Sequence, residues 1–174
     1  MIFETNDHGN PVFTGIHPLL VELLRAVALD PWERCPEGSE RLLPSPGEDE
    51  DLSLDWEDHV QPELRRHFDS ERAVVAGDLE RMTTPVALNE KGGEEDGASL
   101  EIPLAHADAW LTTLNALRLA LVGEHGFTEA DLSHESLPDL SDARGIALMQ
   151  VNFYAFIQEC LVRCLDGEGG EGGA

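Results

Sequence analysis

Large polar side chains interrupt two mostly apolar stretches near the C-terminus: Asn115 and Arg118 in the first, and Gln150, Asn152, Gln158 and Glu159 in the second. A helix would place Asn115 and Arg118 on neighbouring turns of one side. A half-buried guanidinium needs acceptors, and Gln158 and Glu159 would supply them if the two helices pack together. We therefore expect a structural polar clasp that fixes the register of the two helices. The alternative is an anion site at Arg118, which is disfavoured because one arginine among many acids makes a poor anion pocket.

A second set of residues has the spacing of metal ligands. His59, Glu63 and His67 recur every four residues and would share one face of a continuous helix. Imidazole and carboxylate groups bind zinc and related metals. Pro62 suits only the start of a helix, however, which would leave His59 outside it. No His-Glu-x-x-His or Glu-x-x-His motif is present, so we expect a surface face and no metal, and ligation by these three residues is the alternative.

Two cysteines, Cys160 and Cys164, stand four residues apart and share one face of the last predicted helix. Thiolates at this spacing can ligate a metal or form a redox pair. They lack a second Cys or His pair at a metal-site distance and continue an apolar stripe, so we expect them to be core residues. The sequence also has no Gly-x-Ser-x-Gly motif and no phosphate-binding glycine loop with lysine. We therefore expect no catalytic residues and no cofactor.

The elements that position these residues follow from hydrophobic periodicity. Apolar residues at helical spacing predict a mainly α fold in which the last two long helices pack together. One predicted helix begins at Pro18, and a second begins at Pro62 with a break near Asp69-Ser70. Two further helices are predicted from about His106 to Glu124 and from about Ser141 to Leu165.

A small antiparallel β element accompanies the helices. Two short β-prone runs on either side of an Asn-Asp-His-Gly-Asn cluster predict a hairpin near residues 2–14. Val86–Leu88 and Leu100–Ile102 bracket an acidic loop over residues 89–99, which predicts a second hairpin near residues 86–102.

The length of 174 residues suits one domain, which we place over residues 1–165. Residues 33–58 are rich in Pro, Gly and acids and predict a long acidic loop. Residues 166–174 are rich in Gly and Glu, have little to bury, and predict a disordered tail.

Charge limits the classes of partner. Thirty-five acids face eleven Lys and Arg residues, which gives a formal net charge of −24. Such a chain repels phosphates and anionic lipid headgroups, so we expect neither nucleic-acid nor membrane binding. No apolar run approaches the roughly 20 residues of a bilayer span, and the first residues lack a secretory-signal pattern. Three cysteines are too few and odd in number for a disulfide framework, so we expect a cytoplasmic protein.

Two patterns carry a family likeness: W-L-x-x-L-N-x-L-R-L from Trp110 and F-x-Q-E from Phe156. Further likeness lies in Pro62–Met82 and Gly126–Asp131. On these residues, the chain from about 62 to 165 resembles a bacterial family known as domain of unknown function 2017. The resemblance implies a mainly helical cytosolic protein and carries over no catalytic or cofactor residues. Genes of this family often lie near the gene for the adaptor of the Clp protease, which implies a link to regulated proteolysis.

These observations favour a non-catalytic accessory or protein-interaction module whose partner is another protein or a second copy of the chain. A homodimer through an exposed face of the helix at Leu19–Ala28 is one form of this hypothesis. The alternative is a small metal-binding or hydrolytic enzyme whose site is assembled only by folding.

Overall fold

The computed structural model describes residues 1–44, 46–47, 50–83, 97–133 and 140–167. Over these residues the fold is mainly α-helical, with a small antiparallel sheet of three strands. The predicted fold class is therefore confirmed.

The sheet contains β1 (Ile2–Thr5), β2 (Pro11–Ile16) and β3 (Ala98–Glu101) in the order β1-β2-β3. The turn between β1 and β2 is closed by the Asn6 side chain. Its Oδ1 accepts the backbone N–H groups of His8 and Asn10, each at 3.0 Å. This pairing of strand with turn confirms the hairpin predicted near residues 2–14.

The third strand enters the sheet by pairing with β2, where Phe13 lies opposite Leu100. Both side chains are buried, so the inner face of the sheet belongs to the core. The hairpin predicted near residues 86–102 is described only in its second half, because its first strand at 86–88 lies outside the described residues.

The first helices are α1 (Pro18–Arg25) and α2 (Pro31–Arg34), with 3-10 turns at Ala26–Ala28 and Gly38–Leu42. Pro18 and Pro31 each occupy the first turn of a helix, where a missing N–H is not needed. The caps are side chains of the preceding residues, His17 and Asp30.

The prediction of a loop over residues 33–58 is wrong for much of that span. Besides the 3-10 turn at Gly38–Leu42, it contains α3 (Glu50–Asp55) and most of a π-helical turn at Trp56–Val60. Gly38 explains part of the difference between the predicted loop and the observed structure. A Cβ on Gly38 would lie 1.8 Å from the Ala120 carbonyl oxygen, so only glycine lets this segment pack directly on the backbone of a neighbouring helix.

The next helix, α4 (Gln61–Glu80), follows the π-helical turn without interruption. The break predicted near Asp69-Ser70 does not occur. Neither residue is Gly or Pro, and Asp69 accepts from Arg72 at 2.8 Å one turn later, which supports a continuous helix.

The last elements are α5 (Ala107–Glu124), the single turn α6 (Glu129–Leu132) and α7 (Ala143–Leu165). α5 is the central helix of the described fold and packs against α4, α7 and the 3-10 turn at Gly38–Leu42. α5 and α7 run antiparallel: Arg144 reaches the His125 carbonyl at one end of the pair, and Gln158 reaches the Leu111 carbonyl toward the other. The packing of the last two long helices follows the prediction.

α7 is also long and apolar enough, by length and composition, to cross a membrane. Half of its most apolar stretch is buried inside the protein, as is usual for a helix of a hydrophobic core, so its length and composition are weak evidence for a membrane span. Its buried side chains include Val151, Tyr154, Ile157 and Leu161, which pack into the same core as Trp110 of α5.

Candidate functional site

Two of the four predicted clasp residues meet between α5 and α7. Arg118 donates from Nη1 to Oε1 of Gln158 at 2.5 Å. Gln158 donates in turn from Nε2 to the Leu111 carbonyl at 3.2 Å. One amide therefore accepts from a side chain of α5 and donates to its backbone, which fixes the rotation of α7 relative to α5.

The other two predicted clasp residues do not take part in this contact. Asn115 is exposed on α5. Glu159 accepts from Arg163 on its own helix at 2.5 Å, and both of these side chains are about 60% exposed. Successive residues of a helix point about 100° apart, so Glu159 cannot share the face on which Gln158 meets α5.

Arg118 consequently has no carboxylate partner in the described part of the chain. Its Nε is covered by protein and has no acceptor there. Burial alone lowers the pKa of its guanidinium from the usual value, and no nearby acid opposes that effect. A half-buried cation held only by a neutral amide is unusual, since such charges are ordinarily paired.

Each of the two helices also exposes an apolar side chain close in sequence to the contact between Arg118 and Gln158. Leu119 follows Arg118 on α5 and is 40% exposed, and Val162 stands one turn after Gln158 on α7 and is 44% exposed. Asn115 of α5 and Ala155 of α7 stand one turn before Arg118 and Gln158 respectively. We call the patch formed by Asn115, Arg118, Leu119, Ala155, Gln158 and Val162 the α5–α7 surface.

A second polar group, which the sequence prediction missed, surrounds Asp78 near the end of α4. Its carboxylate is fully buried. Trp110 donates from Nε1 to Oδ2 at 2.8 Å, and Nδ1 of His106 lies 2.9 Å from Oδ1. Arg81 donates to the same Oδ1. We call these four residues the Asp78 centre; its three donors satisfy a charge that would otherwise be costly to bury.

The Asp78 centre joins the end of α4 to the start of α5. His106 closes the 3-10 turn at Leu104–His106 and is the residue before α5, so its ring is placed by the backbone that begins the helix. Its side chain is 36% exposed. With Nδ1 directed at the carboxylate, Nε2 is the nitrogen left for other partners.

The sequence did carry a signal for this centre. Asp78 stands three residues after Val75 and four before Met82, and both of those are buried. A helix therefore places Asp78 on the buried face. An acid in the middle of an apolar stripe indicates a buried carboxylate with hydrogen-bond partners, and a buried tryptophan N–H is a suitable donor.

A third polar group links α7 to the start of the chain. Arg34 donates to Gln150 Oε1 at 3.1 Å and to the Ala26 carbonyl at 3.3 Å. Tyr154 donates its hydroxyl to the Leu23 carbonyl at 2.8 Å. Burial raises the pKa of Tyr154 to about 12, since the phenolate would be poorly solvated there. Both glutamines of α7 thus accept from an arginine of another element.

The three candidate metal ligands do not form a site. His59, Glu63 and His67 are all exposed. Glu63 accepts from Arg66 at 2.8 Å, and His67 lies 3.6 Å from Glu71. Within the described ranges, no group of three or more His, Cys, Asp or Glu residues is placed to hold a metal ion.

The cysteines of α7 lie in the core. Cys160 and Cys164 are both buried free thiols, as is Cys35. Burial, with the nearby Glu159 charge second, raises the pKa of Cys160 to about 11. The thiol is therefore protonated at neutral pH and a weak nucleophile.

A small cleft between α2, α4 and α5 is lined by Trp32, Phe68, Arg72 and Thr113, among others. Its volume is about 10 Å³, which suits one water molecule. The buried Thr113 hydroxyl has no hydrogen-bond partner in the described part of the chain. The cleft is too small for a substrate.

Comparison with known proteins gives one match. The model of a family described as Domain of unknown function (DUF2017) matches residues 19–165, which is most of the chain. No curated protein and no solved structure matches it.

Proposed function

Since the chain belongs to the DUF2017 family, whose description names no activity, we propose from its own residues that it is a non-catalytic protein-interaction module. The observation that carries the proposal is the α5–α7 surface. There, the two helices that build the core also present Leu119 and Val162 to solvent close in sequence to Arg118 and its partner Gln158, and Arg118 has no carboxylate partner in the described ranges. Exposed apolar groups clustered around one polar anchor are typical of sites that bind another protein.

The chemistry of the chain supports a protein partner over other classes. A net charge of −24 opposes contact with phosphates and anionic lipids. We place the module in the cytoplasm and connect it with regulated proteolysis, as the gene neighbourhood of the family implies. A protein that delivers or positions another protein needs an exposed docking surface and no reacting groups.

Site-specific photocrosslinking tests the proposal. A benzoylphenylalanine residue at Val162 should form a discrete heterologous adduct in cells that express the chain. The same probe at Leu29, which is 53% exposed but lies at the end of the 3-10 turn Ala26–Ala28, serves as the matched control and should not form that adduct. Equal adducts from both positions, or none from Val162, would contradict an interaction through the α5–α7 surface.

The Asp78 centre favours a second candidate function, a hydrolytic or other acid–base enzyme. A buried carboxylate that orients a partly exposed imidazole is the arrangement of a general base. In the described part of the chain, however, no hydroxyl or thiol hydrogen bonds with His106. Turnover of ester or phosphoester substrates by the parent, abolished in His106→Gln but retained in His125→Gln, would establish this candidate over the first.

A further inference from the structure

We propose that the partner places a carboxylate against Arg118, carried on a segment whose neighbouring side chains are apolar and pack on Leu119 and Val162. This inference rests on the proposed interaction function and names the chemistry of the partner. The occupant is an acidic side chain of another protein, flanked by apolar residues, on a partner that is not itself strongly acidic overall.

The state of the guanidinium is the first argument. Nη1 of Arg118 is used by Gln158, while Nη2 donates to no acceptor in the described part of the chain and is not covered as Nε is. A guanidinium that donates from Nη1 within the protein can still donate from Nη2 to a carboxylate of a partner. The amide of Gln158 is held by the Leu111 carbonyl, so Arg118 is oriented before a partner arrives and loses less side-chain entropy on binding.

Three other arginines of the long helices provide a contrast. Arg66, Arg72 and Arg163 each lie within 3.0 Å of an Asp or Glu one turn away on the same helix. Arg118 has no such acid in the described ranges, although the chain has more than three acids for every base. Glu159 stands one turn before Val162 but is paired with Arg163, and the α5–α7 surface itself contains no acid. Its local charge therefore complements an anion although the molecule as a whole is acidic.

The net charge of the chain and the exposure of Leu119 and Val162 argue against two simpler occupants of this surface, a second copy of the chain and a free inorganic anion. A second copy of the chain carries a further net charge of −24, and the repulsion between two such molecules opposes self-association. A free inorganic anion would leave Leu119 and Val162 exposed and would meet one arginine only. A carboxylate with apolar neighbours uses both features of the surface.

The test measures the Arg118 Nε–Hε resonance by nitrogen-15 NMR at low salt, where surface electrostatics is least screened. The probes are N-acetyl-leucinate, its uncharged amide N-acetyl-leucinamide, and acetate. We expect N-acetyl-leucinate to shift the Arg118 signal and the methyl signals of Leu119 and Val162 together, at Kd values in the millimolar range or weaker. The amide should do neither, and acetate should bind at least several-fold more weakly. Equal effects of acid and amide, equal effects of acetate and N-acetyl-leucinate, or equal shifts at all arginine signals would each overturn the inference.

Variants separate a specific site from general charge. In Arg118→Gln, which can still hydrogen bond with Gln158, the shifts at Leu119 and Val162 should disappear. In Arg118→Lys they should persist in weaker form. Arg163→Gln, on the exposed side of α7, should leave them unchanged. Loss in Arg163→Gln to the same extent as in Arg118→Gln would show a non-specific charge effect and overturn the proposal.

Photocrosslinking then distinguishes failure of this inference from failure of the proposed function. If the Val162 adduct forms in the parent and its yield falls at least several-fold in Arg118→Gln, the carboxylate contact is supported. If the yield is unchanged, the surface binds a partner but the carboxylate inference is wrong. If no adduct forms in the parent, or the adduct has the mass of two copies of this chain, the heterologous interaction itself is refuted.

Discussion

Replacement of the buried Asp78 by alanine is the change whose effect the structure defines best. The Asp78 centre has one donor in the core and two donors near solvent. Trp110 is fully buried, whereas the His106 and Arg81 side chains are 36% and 60% exposed. Asp78→Ala removes the acceptor shared by all three, but only Trp110 cannot replace it with water.

The size of the effect follows from that difference. A buried donor left without an acceptor costs about 1–3 kcal/mol. The ion pair with Arg81 and the contact with His106 add about 1 kcal/mol, since solvent screens them. We expect Asp78→Ala to lower the free energy of unfolding by about 2–4 kcal/mol, which corresponds to a fall in Tm of roughly 4–16 °C for a domain of this size. Asp78→Asn keeps an oxygen for Trp110 and should cost less than the alanine variant.

Urea unfolding followed by circular dichroism measures these differences. Asp69→Ala is the matched control, because Asp69 lies on the same helix and pairs with Arg72 at the surface; it should cost less than about 1 kcal/mol. A cycle with Trp110→Phe should give a coupling energy of about 1–2 kcal/mol between Asp78 and Trp110. If Asp78→Ala unfolds with the same midpoint as Asp69→Ala, or if the cycle shows no coupling, the account of the Asp78 centre is refuted.

Three further predictions concern packing, the α5–α7 contact and alkaline pH. Gly38→Ala should lower the free energy of unfolding by about 2–4 kcal/mol, because its Cβ would overlap a backbone oxygen of α5. Gly77→Ala should raise it by about 0.5–1 kcal/mol, because the Cβ there meets no atom closer than 4.0 Å. Thermal melts in which both variants shift Tm in the same direction would contradict this prediction. Gln158→Ala should cost about 1–3 kcal/mol by urea unfolding, since it leaves the Arg118 donor and the Leu111 carbonyl, both on α5, without their partner on α7, and an unchanged midpoint would refute the structural contact. Burial raises the pKa of Cys160 from 9.0 to about 11 and that of Tyr154 from 10.0 to about 12, so the unfolded chain loses these protons first and stability should fall as the pH rises above about 9. Cys160→Ala should flatten that fall, and an identical pH profile in the variant would exclude this thiol as a cause.

Most of the fold was predictable from local patterns. The hairpin near residues 2–14 depends on a turn cluster, and α5 and α7 depend on long apolar stripes, all of which are visible in a single sequence. The segment over residues 33–58 was mispredicted because its order comes from tertiary contact. Gly38 is a loop residue by local rules, and it becomes a packing residue only where α5 passes within reach of its backbone.

The candidate sites were predictable to a smaller extent, for a related reason. Spacing identifies which residues share a helix face, but it does not identify which residue of a second helix faces them. Gln158 was therefore found together with its neighbour Glu159, although only Gln158 meets Arg118. The Asp78 centre was missed because Asp78 is 28 positions from His106 and 32 from Trp110 in the sequence. Its only local signal was the apolar stripe around Asp78.

The failure of Glu159 to reach Arg118 is what gives the α5–α7 surface its chemistry. An ordinary clasp would pair the guanidinium with that carboxylate, and the surface would then be neutral and closed. Here, Glu159 lies one residue beyond the amide, points about 100° away from it and binds Arg163, so the amide holds the arginine in place without neutralising it. Gln158→Glu would supply the missing charge at the right position. The carboxylate cannot donate to the Leu111 carbonyl as the amide does, so we expect the new ion pair and the lost hydrogen bond to offset each other within about 1 kcal/mol, while the N-acetyl-leucinate response at Leu119 and Val162 is lost. A protein of nearly unchanged stability that binds the probe less well would separate the binding role of Arg118 from its structural role, and an undiminished response would show that its charge is not what the probe recognises.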